Sequence, residues 1–379
     1  MRNKPMRLVL AVPALAALLG FAAGPSQAAP PSTTFVYVHD ASGPPRVFGF
    51  VVEANGVLTP TPNSPYTEPD SAGSGPNASN AIAASAARAV VMTAGGTGVS
   101  TWKIFSDGSL HPVAGSPFAF QVHQRATSVQ TVTVGTRTFA YATQYLGGSM
   151  DGFEVALDGT LARVAGFPLT GVPGISTLAG AGNKLVYANE NTNTLRSYAV
   201  QADGTVKAGA KKPTKIKGAG NIYYVDLDPL GKFAFTGGYT SGGKIAGFKV
   251  KDPKGSLAAA GKTKPGLLDV DGGISISSTG IVAAFTGDGG TDTQTFRMSS
   301  KGKLKKLGTA QSSGLAKVTS SAFSPDGTIL VAASSPSSAV NAYVVDQTTG
   351  VLTQASSQPI PFAVNVNGVV VVHVQFAKR

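Results

Sequence analysis

The chain has 379 residues, 47 glycines, 24 prolines and only 13% charged residues, with a formal net charge of +12 and no cysteine. Without cysteine there is no disulfide, lipobox acylation, thiolate nucleophile or Cys-ligated metal. So few charges leave little material for long solvent-facing helices, and the many short Val, Ile, Thr and Phe runs between Gly, Asn, Asp and Ser clusters favour strands.

The first residues read as an export leader. Arg2, Lys4 and Arg7 precede an apolar stretch from Leu8 to Ala23, and Ser26-Gln27-Ala28 offers the small residues that a signal peptidase reads. Cleavage after Ala28 is expected, leaving residues 29–379 as one domain. The alternative, an uncleaved anchor, would have to span with a run that is short and broken by Pro13 and Gly20. No later stretch approaches the roughly 20 apolar residues of a membrane-crossing helix.

From residue 35 onward one pattern recurs seven times: an apolar strand, a polar turn, a strand carrying an aromatic, a turn with Gly, and a short outer strand. The apolar strands begin at 35, 89, 139, 185, 233, 281 and 329. The aromatics are Phe50, Trp102, Phe153, Tyr198, Phe248, Phe296 and Tyr343. The turns before the last strand carry Gly56, Gly108, Gly159, Gly204, Gly255, Gly302 and Gly350, where a tight hairpin needs positive φ. A repeat of about 48 residues with four strands predicts an all-β, seven-bladed β-propeller of four-stranded antiparallel blades, since one such sheet buries its faces only against neighbours. The chain enters at a second strand, so blade one lacks its innermost one. The apolar run from Val369 to Phe376 is expected to supply it and close the ring. The alternative for that run is a solvated tail.

The Val186-Tyr187-Ala188-Asn189 strand, the Ser324-Pro325-Asp326-Gly327 turn and the Gly115-Ser116-Pro117-Phe118 tail resemble the lactonase-type propellers. That family includes bacterial 6-phosphogluconolactonase, fungal carboxymuconate cycloisomerase and many exported YVTN-repeat proteins. The resemblance covers the whole mature chain. It implies a catalytic face with a His, a Glu and anion-holding Arg residues. Only Asn189-Glu190 matches the family's Asn-Glu. Arg125-Ala126-Thr127-Ser128-Val129 stands where the family has His-x-His-x-Val, Pro173-Gly174-Ile175 replaces Pro-Arg-His, and Gly237-Gly238-Tyr239 replaces Asn-Arg-Gly.

Topology alone places ends of second strands and starts of first strands around one channel mouth. Glu190 and His39 are the candidate acid–base pair there. Arg125, His123, Asp40, Tyr145, Asn189, Tyr239, Asp271 and Asp288 are candidate ligand-binding groups, a polar ring of mixed charge suited to a small polar ligand. The competing reading has Asp and Asn capping turns while His39 fills a loop. Ring closure would bring His39 and His373 onto adjacent strands, where Asp40 could complete a metal site. Asp269-x-Asp271-Gly272 opens like a calcium loop but lacks the Glu twelve on, which favours a turn. No nucleophile elbow, P-loop or dinucleotide fingerprint is present, and no metal or cofactor is expected.

Sixteen lysines fall between Lys207 and Lys306. They make one rim basic, either to attract anionic envelope polymers or lipid headgroups or simply to protect outer edge strands. Nucleic acid is not an expected partner, because no aromatic-studded groove accompanies the lysines. The expectation is a monomeric, secreted or periplasmic propeller that binds a ligand, polymer or protein without catalysis. The alternative is a diverged lactonase or cycloisomerase acting on a small cyclic ester.

Overall fold

The computed structural model describes residues 32–70, 81–122, 126–144, 148–171, 175–189, 192–216, 222–238, 244–267, 269–270, 272–287, 290–361, 363 and 365–376. The expected leader, residues 1–28, lies outside them. Seven antiparallel sheets form a ring, each running inner, second, third and outer strand from the channel to the rim. The second strands are Ser32–Asp40, Val90–Ala94, Arg137–Gln144, Lys184–Asn189, Phe233–Gly238, Ile281–Phe285 and Ile329–Ser334, one in each expected repeat.

Closure occurs as the sequence implied. Blade one's inner strand is Val366–Gln375, paired antiparallel with Ser32–Asp40 from Ser32↔Gln375 to Asp40↔Val366. The first and last described strands thus share one sheet, and Ser32–Asp40 is paired along both of its edges.

The seven third-strand aromatics are all buried, none more than 5% exposed. Strand alternation sends successive residues to opposite neighbours. Val36 and Val38 pack against Val331 and Ala342 of blade seven, whereas Phe35 and Tyr37 pack against Val91 and Trp102 of blade two. Each of the seven gaps between blades holds its own apolar cluster. The core is therefore a ring of wedges rather than a single centre.

The turn glycines carry a second constraint beyond positive φ. A Cβ on Gly108 would stand 2.5 Å from the ring of Phe35 in the preceding blade, and one on Gly204 would stand 2.4 Å from Phe139. Hydrogen bonds follow the same contact. Tyr37 donates its hydroxyl to the Gly108 carbonyl at 2.8 Å, and Tyr141 donates to the Gly204 carbonyl at 2.7 Å.

Small hydroxyls stitch the inner strands laterally. Thr131 donates to the Ala84 carbonyl, Leu178 N–H donates to Ser128 Oγ, Ser275 Oγ donates to the Ser321 carbonyl, and Val369 N–H donates to Ser320 Oγ. The gap between blades four and five is packed instead by Ala179, Val186 and Val225.

One sequence expectation needs refining. In blades one, two, four and six the outer edge consists of two short pieces rather than one strand. In blade one, Leu58–Pro60 and Tyr66–Thr67 both pair with Arg46–Val52. Blades five and seven have continuous outer strands, Ser256–Thr263 and Leu352–Pro359.

Candidate functional site

Second strands end and inner strands begin on one face of the ring. The described strands reach Asp40, Gln144, Asn189 and Gly238 there. Glu190, Arg125, His123, Tyr145, Tyr239, Asp271 and Asp288 lie outside the described residues. His39, Asp40 and Asn189 are described, and all three are buried.

His39 has no exposed surface. Its Nδ1 lies 2.6 Å from Asn367 Oδ1 on the closing strand, and its Nε2 lies 2.6 Å from Glu68 Oε1. An amide oxygen only accepts, so Nδ1 carries a proton. Burial lowers the pKa of this imidazole, but the Glu68 carboxylate, the hydrogen bonds that the ring donates to Glu68 and Asn367, and the charge of Asp40 outweigh that, and the net shift is upward. His39 in this structure is a buried imidazole fastening the seam of the ring, its protonated form favoured by Glu68, with neither ring nitrogen directed at solvent.

Asp40 is equally committed. Its carboxylate accepts from Asn365 N–H at 3.1 Å, from the Ser42 hydroxyl at 2.6 Å and from the Arg46 guanidinium at 3.1 Å. Asn189 accepts from the Thr192 N–H at 3.1 Å and caps the turn that follows it. Blade three has a comparable network. Gln144 donates to Asp151 at 2.8 Å, and Arg163 pairs with the other Asp151 oxygen. Burial raises the Asp151 pKa, and the Arg163 guanidinium opposes that rise.

His39 and His373 do lie on adjacent strands, as ring closure implied, but register keeps them apart and the metal site weighed for them does not form. His39 stands opposite Gly368 and His373 opposite Thr34, five residues apart along the strand. That is roughly 17 Å at about 3.3 Å per residue. His373 Nδ1 instead hydrogen-bonds Thr34 Oγ1 at 2.9 Å. Among the described residues no group of three His, Cys, Asp or Glu side chains is placed to hold a metal. Asp269 caps the blade-six turn by accepting from Gly287 N–H at 2.8 Å, which is the turn role weighed for it.

A cavity of about 540 Å³ occupies the channel, lined by residues from all seven inner strands. Among the described residues its walls carry Gln130, Thr131, Ser275 and Ser321, one carboxyl, Asp226, and one imidazole, His373, with no Lys or Arg. Asp226 accepts from its neighbour Leu227 N–H at 2.8 Å and from Ile276 N–H of blade six at 3.1 Å. Burial pushes its pKa up to about 7, with the Asp228 charge adding and the two N–H donors opposing. Sequence reasoning missed Asp226 and Glu68. The signal for Asp226 was a lone acid inside the apolar run Tyr224-Val225-Asp226-Leu227. Glu68 had none, because it sits in a loop and reaches His39 only through the fold.

No family model matches the chain, and no curated protein matches it. Solved structures do. A protein from Lactobacillus plantarum superposes with a TM-score of 0.69 at 14% identity, over 90% of this chain and 100% of that one. The periplasmic gluconolactonase PpgL of Pseudomonas aeruginosa gives 0.68 at 16% identity, over 90% and 99%. A candidate 6-phosphogluconolactonase of Bacteroides uniformis gives 0.67 at 17% identity, over 90% and 99%. The chain has the lactonase-type seven-bladed propeller fold.

Proposed function

We propose that this chain is an exported, lactonase-like propeller of the cell envelope that binds a ligand, polymer or protein without turning it over. The observation that carries this reading is the state of His39. A general base must reach a substrate proton directly or through one water. His39 is enclosed and spends both nitrogens on Glu68 and Asn367. Asp40 and Asp151 are likewise spent on internal partners. An envelope location is supported by the leader-like N-terminus and by the likeness to a periplasmic protein. No helix among the described residues is long and apolar enough to cross a membrane.

The fold of proteins named as lactonases favours a second reading, in which Glu190 serves a rebuilt site on a small cyclic ester. Lactone hydrolysis followed by pH-stat, on sugar-acid and simple γ- and δ-lactones, separates the two. The binding reading expects no turnover above the spontaneous rate. Turnover that collapses in Glu190→Gln would replace it with the enzymatic one.

A further inference from the structure

Blades one and three carry a glycine just before the third-strand aromatic, Gly49 and Gly152, and an aromatic from the same blade's tail lies over each. A Cβ on Gly49 would stand 3.2 Å from Tyr66, and one on Gly152 would stand 2.8 Å from Phe167. Blade five keeps the glycine as Gly247, but its continuous outer strand places Gly261 opposite it and Lys262 opposite Ala246. The contacts of Gly247 are then Phe235 of its own blade and the Gly302 carbonyl of blade six. A cleft of about 270 Å³ stays open between blades five and six. Phe235, Ile245 and Leu304 line its apolar part, Ala260 lines its wall, and Lys262 and Lys303 come from opposite blades.

The charged residues described in the lining of this cleft have one sign. Among the described residues no acid lines it, and Lys262, Lys264, Lys303, Lys305 and Lys306 are all exposed. Lys306 of blade six reaches across the gap, its Nζ lying 2.9 Å from where a Cβ on Gly266 of blade five would stand. Ammonium groups on flexible stems are point charges that accept an anion without demanding a fixed geometry. The volume falls below the roughly 300–1,000 Å³ of a site for a drug-sized molecule. It fits one unit of a longer chain, and the exposed Lys211, Lys212 and Lys215 continue the basic rim along blade four.

We propose that this cleft seats one unit of a linear anionic polymer, a chain bearing phosphate or carboxylate groups at regular intervals, while the flanking lysines hold neighbouring units. The inference rests on the reading of the chain as an envelope binding protein and supplies the partner's chemistry. The test measures binding of inorganic polyphosphate and of a polyuronate to the mature protein at physiological ionic strength. Polyphosphate and polyuronate distinguish a phosphate from a carboxylate source. Lys262→Ala/Lys303→Ala is expected to weaken binding about fivefold to tenfold, as two partly exposed charge contacts would. Ala260→Phe restores an aromatic plug without altering charge and is expected to weaken it comparably. Lys211→Ala/Lys212→Ala, with the same loss of charge outside the cleft, is expected to change it less than about twofold.

Equal losses in both lysine pairs would overturn the cleft in favour of a diffuse rim. Binding to phosphatidylglycerol vesicles with none to either soluble polymer would replace the polymer by a membrane surface. Thermal unfolding of each variant confirms that it folds, and the lysine pair keeps the test decisive if Ala260→Phe does not. Lactone turnover is scored separately, so either reading can fail while the other stands.

Discussion

Blades one and five hand the chain to the next blade along the same route but fasten it with different chemistry. After blade one's outer strand come Tyr66, which plugs the gap beside Trp102, Glu68, which pairs with His39, and Asp70, which caps the next blade by accepting from Thr97 and Gly98 N–H groups. After blade five's outer strand come Lys264, Leu267, which is buried in the gap between blades five and six without an aromatic ring, and Asp269, which repeats the role of Asp70 through Gly287 N–H. The inner strands differ as well. Opposite Phe235 in blade five stands Asp226, whereas opposite Tyr37 in blade one stands Val370. Blade one must hold two chain ends together without a covalent bond, so its connection is spent on internal contacts. Blade five is continuous chain; its connection buries Leu267, Asp269 and Val270 but places Lys264 at the surface where blade one places the buried Glu68.

The largest effect should come from the seam. His39→Ala leaves the Glu68 carboxylate buried without its cation and is expected to cost about 3–5 kcal/mol in denaturant unfolding. A loss below about 1 kcal/mol would show that the seam does not depend on this pair. Because the folded-state pKa of His39 is raised, its contribution is complete below the unfolded value and is lost as pH rises through the folded one. Wild-type stability should therefore fall toward that of the variant in alkaline solution.

Tyr66→Ala would give blade one a cleft like that of blade five. The expected cost is about 3 kcal/mol, from the lost ring and the hydrogen bonds that its hydroxyl makes with Thr61 and the Pro62 carbonyl. If the loss is small, the tail aromatics are not what closes the outer gaps.

Asp226 gives a pH-dependent contrast. Its pKa of about 7 lies above the unfolded value, so the native state binds the extra proton and stability falls as pH rises from about 4 to 7. Asp226→Asn mimics the protonated form. Its advantage over wild type should grow across that window to the order of 2 kcal/mol at pH 8, discounted for solvent reaching the channel. An advantage that stays constant with pH would exclude Asp226 as the titrating group.

The smallest effects belong to the shared feature. Asp70→Ala and Asp269→Ala should each cost about 1–2 kcal/mol, Asp70 more because it accepts from two backbone N–H groups and the Thr97 hydroxyl. Equal values in thermal unfolding would mean that the count of donors does not matter at these caps.

Much of the fold was legible because it rests on local rules repeated seven times. Strand alternation, the buried aromatic and the turn glycine each act within one blade and its neighbour, so their period survives in the sequence. Even the closing strand could be read, since Val369 to Phe376 had no other blade to complete. The site was less legible. The sequence marked His39 as a candidate base, but its partners Glu68 and Asn367 lie 29 and 328 positions away, and only their convergence encloses it and raises its pKa.

By itself, then, the sequence determined the blade count, the strand order and the place where the ring closes, because each follows from short-range packing and hydrogen bonding. Only the tertiary structure decided which polar groups are spent and which remain open. Whether His39 faces solvent, whether Asp226 is raised toward neutrality, and whether Lys262 and Lys303 flank one cleft all depend on desolvation and distance between residues brought together from different blades.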